Sequence, residues 1–313
     1  MNDWVVGIDL GATKIALGLI SPDDRVVARR RILTLVSDGP QAAVERMADS
    51  IADLERELPP GGRIAALGIC SPGPVDYEAG LIVDPPNLTG WRDVPLRQML
   101  SDRLKDPVRL EHDAKASALG EYHYGVGRGE RSMVYVVVGT GVGAAIIVDG
   151  QLYRGMHNAA GEVGHITIDC GGEKGSSGIR GNVESFMSGP ALTHRYERLL
   201  AQHGQRKPAQ PITGELVARL AAGGDALALQ VMTRAGEALG IAIASLAMVL
   251  DIELYVIGSS VAKSGDLLLE PARRILPEYC FHSVACKVRI APVALGDDGP
   301  ILGCGWLARQ VLR

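Results

Sequence analysis

Two glycine- and threonine-bearing turns, each flanked by apolar runs with the composition of β-strands, are the feature of this sequence that most suggests chemistry. The first occupies residues 9–14 and the second residues 139–143, about 130 residues further along the chain. Glycine lets backbone N–H groups approach an anion closely, and threonine adds a hydroxyl donor. One such turn would be unremarkable in a hairpin. Two of them indicate a pair of phosphate clamps facing each other across a cleft, with a nucleotide polyphosphate as the expected ligand.

A carboxylate at the start of a helix and an acid–imidazole pair could supply proton transfer and hydroxyl binding. Asp113 follows a short predicted strand and opens a predicted helix, so it is either a helix N-cap or a general base. Phosphoryl transfer needs little covalent help, so one positioned carboxylate and two phosphate clamps would suffice. Glu162 and His165 lie in a glycine-flanked loop after the second turn. They suit sugar hydroxyls, although such a pair is most often a hydrogen-bonding detail.

Composition predicts a soluble globular protein and excludes several classes of partner. The 313 residues are 47% hydrophobic and 22% charged, and the net charge is −4. We expect two domains of roughly 110 to 190 residues, no nucleic-acid partner and, without a signal-like N-terminus, a cytoplasmic location. Residues 238–250 are too short to span a bilayer and predict a buried helix, so no membrane partner is expected. The five cysteines include no C-x-x-C pair, which favours reduced thiols.

The order of predicted elements repeats, which indicates two related α/β halves. Each half begins with a strand meander that contains one of the turns, and helices alternate with strands afterwards. The strands are predicted at 4–34 (three strands), 64–70, 108–111, 133–149 (two strands), 254–257 and 287–293. The helices are predicted at 41–58, 94–104, 114–124, 184–203, 213–222, 225–250, 264–275 and from about 300, and residues 150–183 are predicted as loop. We place the domains at 1–113 and 114–299, with the helix at about 300–313 packing back onto the first.

Several motifs, in order over nearly the whole chain, resemble those of the ROK family (repressors, open reading frames and sugar kinases). Each motif is weak by itself, but together and in order they are highly specific. The motifs are Asp9-x-Gly-x-Thr-Lys14, Ser71-Pro-Gly-Pro-Val75, Pro86-Asn-Leu-x-Gly-Trp91, Asp113-Ala, Gly139-Thr-Gly-Val-Gly143, Ala160-Gly-Glu-Val-Gly-His165 and Glu184-x-x-x-Ser-Gly189.

The resemblance implies a two-domain actin/hexokinase-like (ribonuclease H-like) α/β fold with a cleft between the domains. It implies transfer of the ATP γ-phosphate to a hexose, with the 6-hydroxyl of glucose as the leading expectation. A kinase for N-acetylmannosamine or N-acetylglucosamine and a catalytically idle sugar-binding protein are the alternatives. The family's repressors carry an N-terminal helix-turn-helix, which we do not expect because the first strand begins near residue 4. Homodimers are common in proteins of this type.

By residue, the resemblance implies a base, a sugar site and an ATP site, with Mg²⁺ carried between the ATP phosphates. Asp113 would be the catalytic base. The sugar would be held by Gly73, Asn87, His112, Glu162, His165 and Glu184. ATP would be held by Asp9, Gly11, Thr13, Lys14, Gly139, Thr140, Gly141, Gly258 and Ser259.

The sequence departs from the family pattern at three places. His112 stands where asparagine is usual before the catalytic aspartate, and Ser259 follows Gly258 where the family has a second glycine. The third departure concerns a structural zinc, bound in the family by three cysteines and the histidine at His165. Those cysteine positions hold the residues Gly175, Ser177 and Asn182.

One cysteine, Cys170, and one histidine do not make a four-ligand zinc site, so we expect no zinc. The segment 170–184 must then be held by other means or be mobile until sugar binds. Five of the eleven residues in 171–181 are glycine, which favours mobility.

Overall fold

The chain folds into two α/β units in the computed structural model, which describes residues 3–312. One unit runs to Arg128 and takes in the chain from Ala294 onward, and the other is Gly129–Val293. The strands are β1 (Asp3–Leu10), β2 (Lys14–Ile20), β3 (Val26–Leu33), β4 (Arg63–Ser71), β5 (Val75–Asp76), β6 (Leu81–Ile82), β7 (Val108–His112), β8 (Met133–Val138), β9 (Val142–Val148), β10 (Gln151–Tyr153), β11 (Leu254–Gly258) and β12 (Arg289–Pro292). The helices are α1 (Gly39–Glu55), α2 (Leu96–Leu104), α3 (Asp113–Tyr124), α4 (Glu184–Met187), α5 (Gly189–Gln202), α6 (Gly214–Ala222), α7 (Ala226–Leu250), α8 (Asp266–Ile275), α9 (His282–Ala285) and α10 (Asp298–Gln310).

Each unit is built on a five-stranded sheet with the same topology. The strand order is β3-β2-β1-β4-β7 in the first unit and β10-β9-β8-β11-β12 in the second. In both, the meander pairs are antiparallel and the remaining pairs are parallel. The predicted α/β class and the predicted repeat are confirmed. Because the carboxyl ends of parallel strands meet at one edge of a sheet, residues that follow β1, β4 and β7 are brought to a common edge.

Helix α10 packs with its backbone directly against the rest of the first unit. A Cβ atom on Gly303 would lie 1.8 Å from the carbonyl oxygen of Ala116 in α3. A Cβ atom on Gly68 of β4 would lie 1.9 Å from the carbonyl oxygen of Cys304. This packing of α3 on α10 keeps α3 in the first unit, so the compact units divide after Arg128 and before Ala294 rather than at residues 113 and 299.

A methyl group at Gly303 is expected to destabilise the first unit. Gly303→Ala should lower its free energy of unfolding by about 1–3 kcal/mol, because the added Cβ overlaps a backbone oxygen that cannot move aside. Tryptophan fluorescence during urea unfolding measures this, since Trp4, Trp91 and Trp306 all lie in that unit. The matched control is Gly299→Ala in the same helix, whose Cβ would meet only the Leu295 side chain at 3.8 Å. Wild-type stability in the Gly303 variant would contradict the packing argument.

The second unit is centred on α7, which packs against α6, α8 and the short helix α4. Among the described residues it is the one helix long and apolar enough to cross a membrane, but 61% of its most apolar window is buried inside the protein. The helix is 25 residues long. Its buried face includes Ala235, Leu239 and Ile243, as expected for a core helix.

Two predictions about the second unit were wrong in detail. Residues 150–183 are not all loop, because β10 extends the meander by pairing with β9. The helix predicted at 184–203 is broken at Ser188, whose side-chain oxygen accepts the Ala191 N–H at 3.3 Å and caps α5. Pro190 in the first turn of α5 favours a helix start there.

Candidate active-site residues

The first predicted clamp is a hydrogen-bonded turn between β1 and β2 that contacts a buried threonine, Thr34. The N–H of Gly11 donates to the carbonyl oxygen of Lys14 at 3.0 Å. The hydroxyl of Thr34 donates to the carbonyl oxygen of Gly11 at 2.6 Å. The backbone N–H of Thr34 donates to the carbonyl oxygen of Thr13 at 3.1 Å. Thr13 and Lys14 are exposed at the tip of the turn. Sequence reasoning missed Thr34, whose only signal is a threonine directly after an exposed strand.

Asp9 is partly buried, and it lies beside the thiol of Cys70 and under the influence of the Asp113 carboxylate. The Cys70 thiol on the neighbouring strand donates to its carboxylate at 3.5 Å. Burial, followed by the negative charge of Asp113, raises the pKa of Asp9 to about 6. The electrostatic effect of Asp113 follows from the sheet, since Asp9 is the last but one residue of β1 and Asp113 comes directly after the parallel strand β7. The structure therefore brings these two predicted residues together.

His112 caps the helix that Asp113 opens. The Nδ1 atom of His112 lies 3.2 Å from the Ala114 nitrogen and accepts its N–H. His112 therefore fills the N-cap position in place of Asp113, but Oδ1 of Asp113 accepts the same Ala114 N–H at 2.6 Å and shares in the capping. Asp113 is the first helical residue, and its carboxylate, 3.2 Å from the His112 imidazole, is 45% exposed.

Gly73 lies against the His112 ring, and Asn87 lies on a separate loop of the same unit. A Cβ atom on Gly73 would be 2.4 Å from Cδ2 of His112, so the ring occupies the space next to the glycine backbone. Asn87 is exposed, and Leu88 and Trp91 on either side of the following turn are buried and anchor its loop. The Trp91 indole N–H also donates to the carbonyl oxygen of Val36 at 3.3 Å.

The second predicted clamp is held by backbone hydrogen bonds in the second unit. The N–H of Gly139 donates to the carbonyl oxygen of Gly141 at 2.9 Å, and its own carbonyl accepts the Gly189 N–H at 2.8 Å. Because α5 begins at Gly189, the N–H of that residue has no partner inside the helix and can donate to Gly139. Thr140 is exposed at the tip of the turn.

Ser259 lies beside this turn and adopts a conformation that favours glycine. A Cβ atom on Gly139 would be 2.8 Å from the Ser259 hydroxyl oxygen, so the two predicted ATP-side segments lie together. The φ angle of Ser259 is 80°, in the left-handed region. Gly258, the residue before it, is buried at the end of β11. The serine thus carries some backbone strain where the related family pattern has glycine.

The predicted sugar-binding residues of the second unit lie around the 3₁₀ turn Val163–His165. Nε2 of His165 is 4.0 Å from the carboxylate of Glu162. Among residues 3–312, no group accepts or donates a hydrogen bond at the buried Nδ1 of His165. The helix that begins at Glu184 contacts this turn.

Glu184 joins the second glycine turn to the glycine-rich stretch that precedes it. Its Oε2 accepts the N–H of Val142 at 3.0 Å. Its Oε1 accepts the hydroxyl of Ser176 at 2.9 Å. Both oxygens therefore have a defined direction, which suits a carboxylate that must accept hydrogen bonds from a polar ligand.

The structural zinc implied by the family resemblance does not fit these residues. Gly175 has no side-chain donor, and the Asn182 amide donates to the Ser177 hydroxyl at 3.3 Å. Cys170 is an exposed free thiol. Within the described part of the chain, no three His, Cys, Asp or Glu side chains are grouped so that they could hold a metal ion.

Comparison with known proteins agrees with the fold and the motifs. The ROK family model matches residues 5–311. A glucokinase of Halalkalibacterium halodurans is 33% identical over 99% of this chain and 96% of its own length. The xylose repressor of Caldicellulosiruptor bescii is 30% identical over 96% of this chain but 76% of its own length.

Among solved structures, a ROK family glucokinase from Streptomyces griseus, in complex with glucose and AMPPNP, is 29% identical with a TM-score of 0.76. The similarity covers 98% of this chain and 99% of that one. The fold is thus the two-domain actin/hexokinase-like α/β fold that the motifs implied. This chain belongs to the ROK family.

Proposed function

We propose that the protein transfers the γ-phosphate of ATP to a hydroxyl group of a hexose, with the 6-hydroxyl of glucose as the preferred acceptor. The observation that carries the proposal is the half-exposed Asp113 carboxylate, held at the start of α3 and close enough to Asp9 to raise its pKa. A chain-long relative named a glucokinase, and a related glucokinase that binds glucose and AMPPNP, support the same chemistry.

In the proposed reaction, Asp113 takes the proton from the attacking sugar hydroxyl. The hydroxyl oxygen forms a bond to the γ-phosphorus, the bond from that phosphorus to the β,γ-bridging oxygen breaks, and ADP leaves with the electron pair. Oδ1 of Asp113 accepts the Ala114 N–H at 2.6 Å, so Oδ2 is the oxygen that would take the proton. A general base in this role contributes about 10²–10⁴-fold to the rate.

The remaining candidate residues would bind the two substrates. Asp9 and those backbone N–H groups of the two glycine turns that are not bonded within the turns would bind the phosphates, with Mg²⁺ arriving as part of the ATP complex and neutralising their charge. Asn87, Glu162, His165 and Glu184 would bind sugar hydroxyls. The Nε2 atom of His112 would be the ring nitrogen that meets the sugar beside Gly73.

Substrate preference among hexoses is the finer part of the proposal. The histidine at 112 is bulkier than the asparagine usual at this position, and its ring fills the space over Gly73. An N-acetylhexosamine is the alternative acceptor. A sugar-binding protein without catalytic activity is the alternative that is not an enzyme. The similarity to a xylose repressor favours keeping this alternative.

A coupled ADP-release assay across glucose, mannose, fructose, allose and the N-acetylhexosamines tests the proposal. We expect the highest kcat/KM with glucose and only background ADP release without sugar. A higher kcat/KM with an N-acetylhexosamine than with glucose would identify the N-acetylhexosamine as the preferred acceptor. Sugar binding by calorimetry without ADP release from any sugar would identify an idle binding protein.

A further inference from the structure

We propose that Asn182 is a positioning residue that takes the place of a metal centre. Its side-chain amide ties the glycine-rich segment, defined here as residues 168–181, to the first turn of α4, and so fixes the carboxylate of Glu184. The proposal rests on the proposed function only in that Glu184 is expected to bind the sugar.

The Asn182 amide is buried and both of its ends are used. The residue has no exposed surface. Its Nδ2 donates to the hydroxyl of Ser177 in the glycine-rich segment at 3.3 Å. Its Oδ1 accepts the N–H of Ser185 in α4 at 3.3 Å, and its backbone carbonyl accepts the Ser185 hydroxyl at 2.7 Å. One side chain thus connects two chain segments, as a shared metal ligand set would.

The glycine-rich segment is folded tightly around this amide. A Cβ atom on Gly175 would lie 2.4 Å from Oδ1 of Asn182, so the glycine backbone packs directly on the amide. A Cβ atom on Gly181, whose φ is 57°, would lie 1.7 Å from the carbonyl oxygen of Asp169. The Gly181 carbonyl also accepts the N–H of Ile168 at 2.9 Å. These glycines permit close packing, which favours a held segment over a mobile one.

Two contacts link the glycine-rich segment and Asn182 to Glu184. Ser176 precedes the Asn182 partner Ser177, and its hydroxyl donates to Oε1 of Glu184 at 2.9 Å. Val183, between Asn182 and Glu184, is fully buried in the core of the unit. Truncating the Asn182 side chain would leave the Ser177 hydroxyl and the Ser185 N–H without this partner, so both connections would loosen.

Hydrogen exchange and sugar binding of Asn182→Ala test the proposal together. We expect amide exchange in residues 168–181 to accelerate about 10-fold or more in the sugar-free protein. We expect the sugar KM to rise about 10-fold while kcat changes less than about 3-fold, because a misdirected Glu184 weakens binding rather than chemistry.

A double-mutant cycle shows whether Asn182 acts through Glu184. If it does, Asn182→Ala combined with Glu184→Gln binds sugar no more weakly than Glu184→Gln alone. Additive losses would overturn the positioning role, and unchanged exchange in 168–181 would overturn the tie itself. Ser177→Ala, which removes one bond of the amide, should give a smaller effect in the same direction and serves if Asn182→Ala does not fold.

The matched control is Tyr196→Phe, which removes another buried hydrogen bond of the same unit, from the tyrosine hydroxyl to Asp225 at 3.1 Å. It should leave exchange in the glycine-rich segment and sugar KM unchanged. A chelator that binds zinc should likewise leave wild-type exchange in this segment unchanged, and acceleration by the chelator would overturn the replacement of a metal. If the protein phosphorylates no sugar, the proposed function fails, while the exchange experiment still decides what holds the segment.

Discussion

Replacing Asp113 with asparagine is expected to lower kcat for sugar phosphorylation by about 10²–10⁴-fold while the sugar Kd changes less than about 3-fold. The amide cannot take the proton of the attacking hydroxyl, but it keeps the size and hydrogen-bonding capacity of the side chain. Helix α3 keeps its N-cap, because His112 supplies it. Coupled ADP release gives kcat, and calorimetry with sugar alone gives Kd.

His112→Asn is the control for this variant. Its amide oxygen can accept the Ala114 N–H, so the cap survives, and removal of the ring frees the space over Gly73. We expect the sugar KM to change while kcat stays within about 10-fold of wild type. Near-wild-type turnover in Asp113→Asn would remove Asp113 from the role of base.

Asp9→Asn is expected to stabilise the first unit at pH 8 while it lowers phosphorylation. Burial and the charge of Asp113 raise the Asp9 pKa from 3.8 to about 6, so the folded state favours the neutral carboxyl. That favourable contribution is fully present below about pH 4 and is lost as pH rises through about 6. The neutral amide avoids this loss, which is at most about 3 kcal/mol. Under the proposed function, activity falls because the variant lacks the carboxylate that would face the phosphates and their Mg²⁺.

Urea unfolding followed by tryptophan fluorescence at pH 4 and pH 8 measures the effect. The gain in unfolding free energy over wild type should appear at pH 8 and vanish at pH 4. Asp113→Asn removes the second-largest cause of the raised Asp9 pKa and should give a smaller gain at pH 8. Equal differences at both pH values, or a less stable Asp9 variant at pH 8, would contradict the electrostatic account.

The repeated sheet and the polar residues at its edges follow from local patterns in the sequence. Runs of β-branched residues predicted the strands of the two sheets. The glycine turns predicted between those strands lie at the same positions in the structure. The contacts that orient these residues do not follow, because they join distant parts of the chain. Glu121 is an example: its buried carboxylate accepts the N–H groups of Ala294 and Leu295 at 3.0 and 2.8 Å and holds the chain as it returns to the first unit.

Glycine content alone does not decide whether residues 171–181 are mobile or held. A mobile segment and a closely packed one both need residues without a Cβ atom, and only tertiary contacts separate them. Gly175 and Gly181 belong to the second kind, since neighbouring atoms occupy the space of a side chain. The capping role of His112 could not be predicted from the sequence either. The motif suggested only that this histidine binds substrate, whereas its bond to the Ala114 N–H depends on the side-chain rotamer in the folded protein.

The most direct test of the central claim is to incubate the wild-type protein with glucose, ATP and Mg²⁺ and to identify both products by mass spectrometry. We expect one hexose monophosphate for each ADP, and a rate that falls about 10²–10⁴-fold in Asp113→Asn. Absence of a sugar phosphate with glucose and with every other hexose and N-acetylhexosamine would contradict the assignment as a sugar kinase.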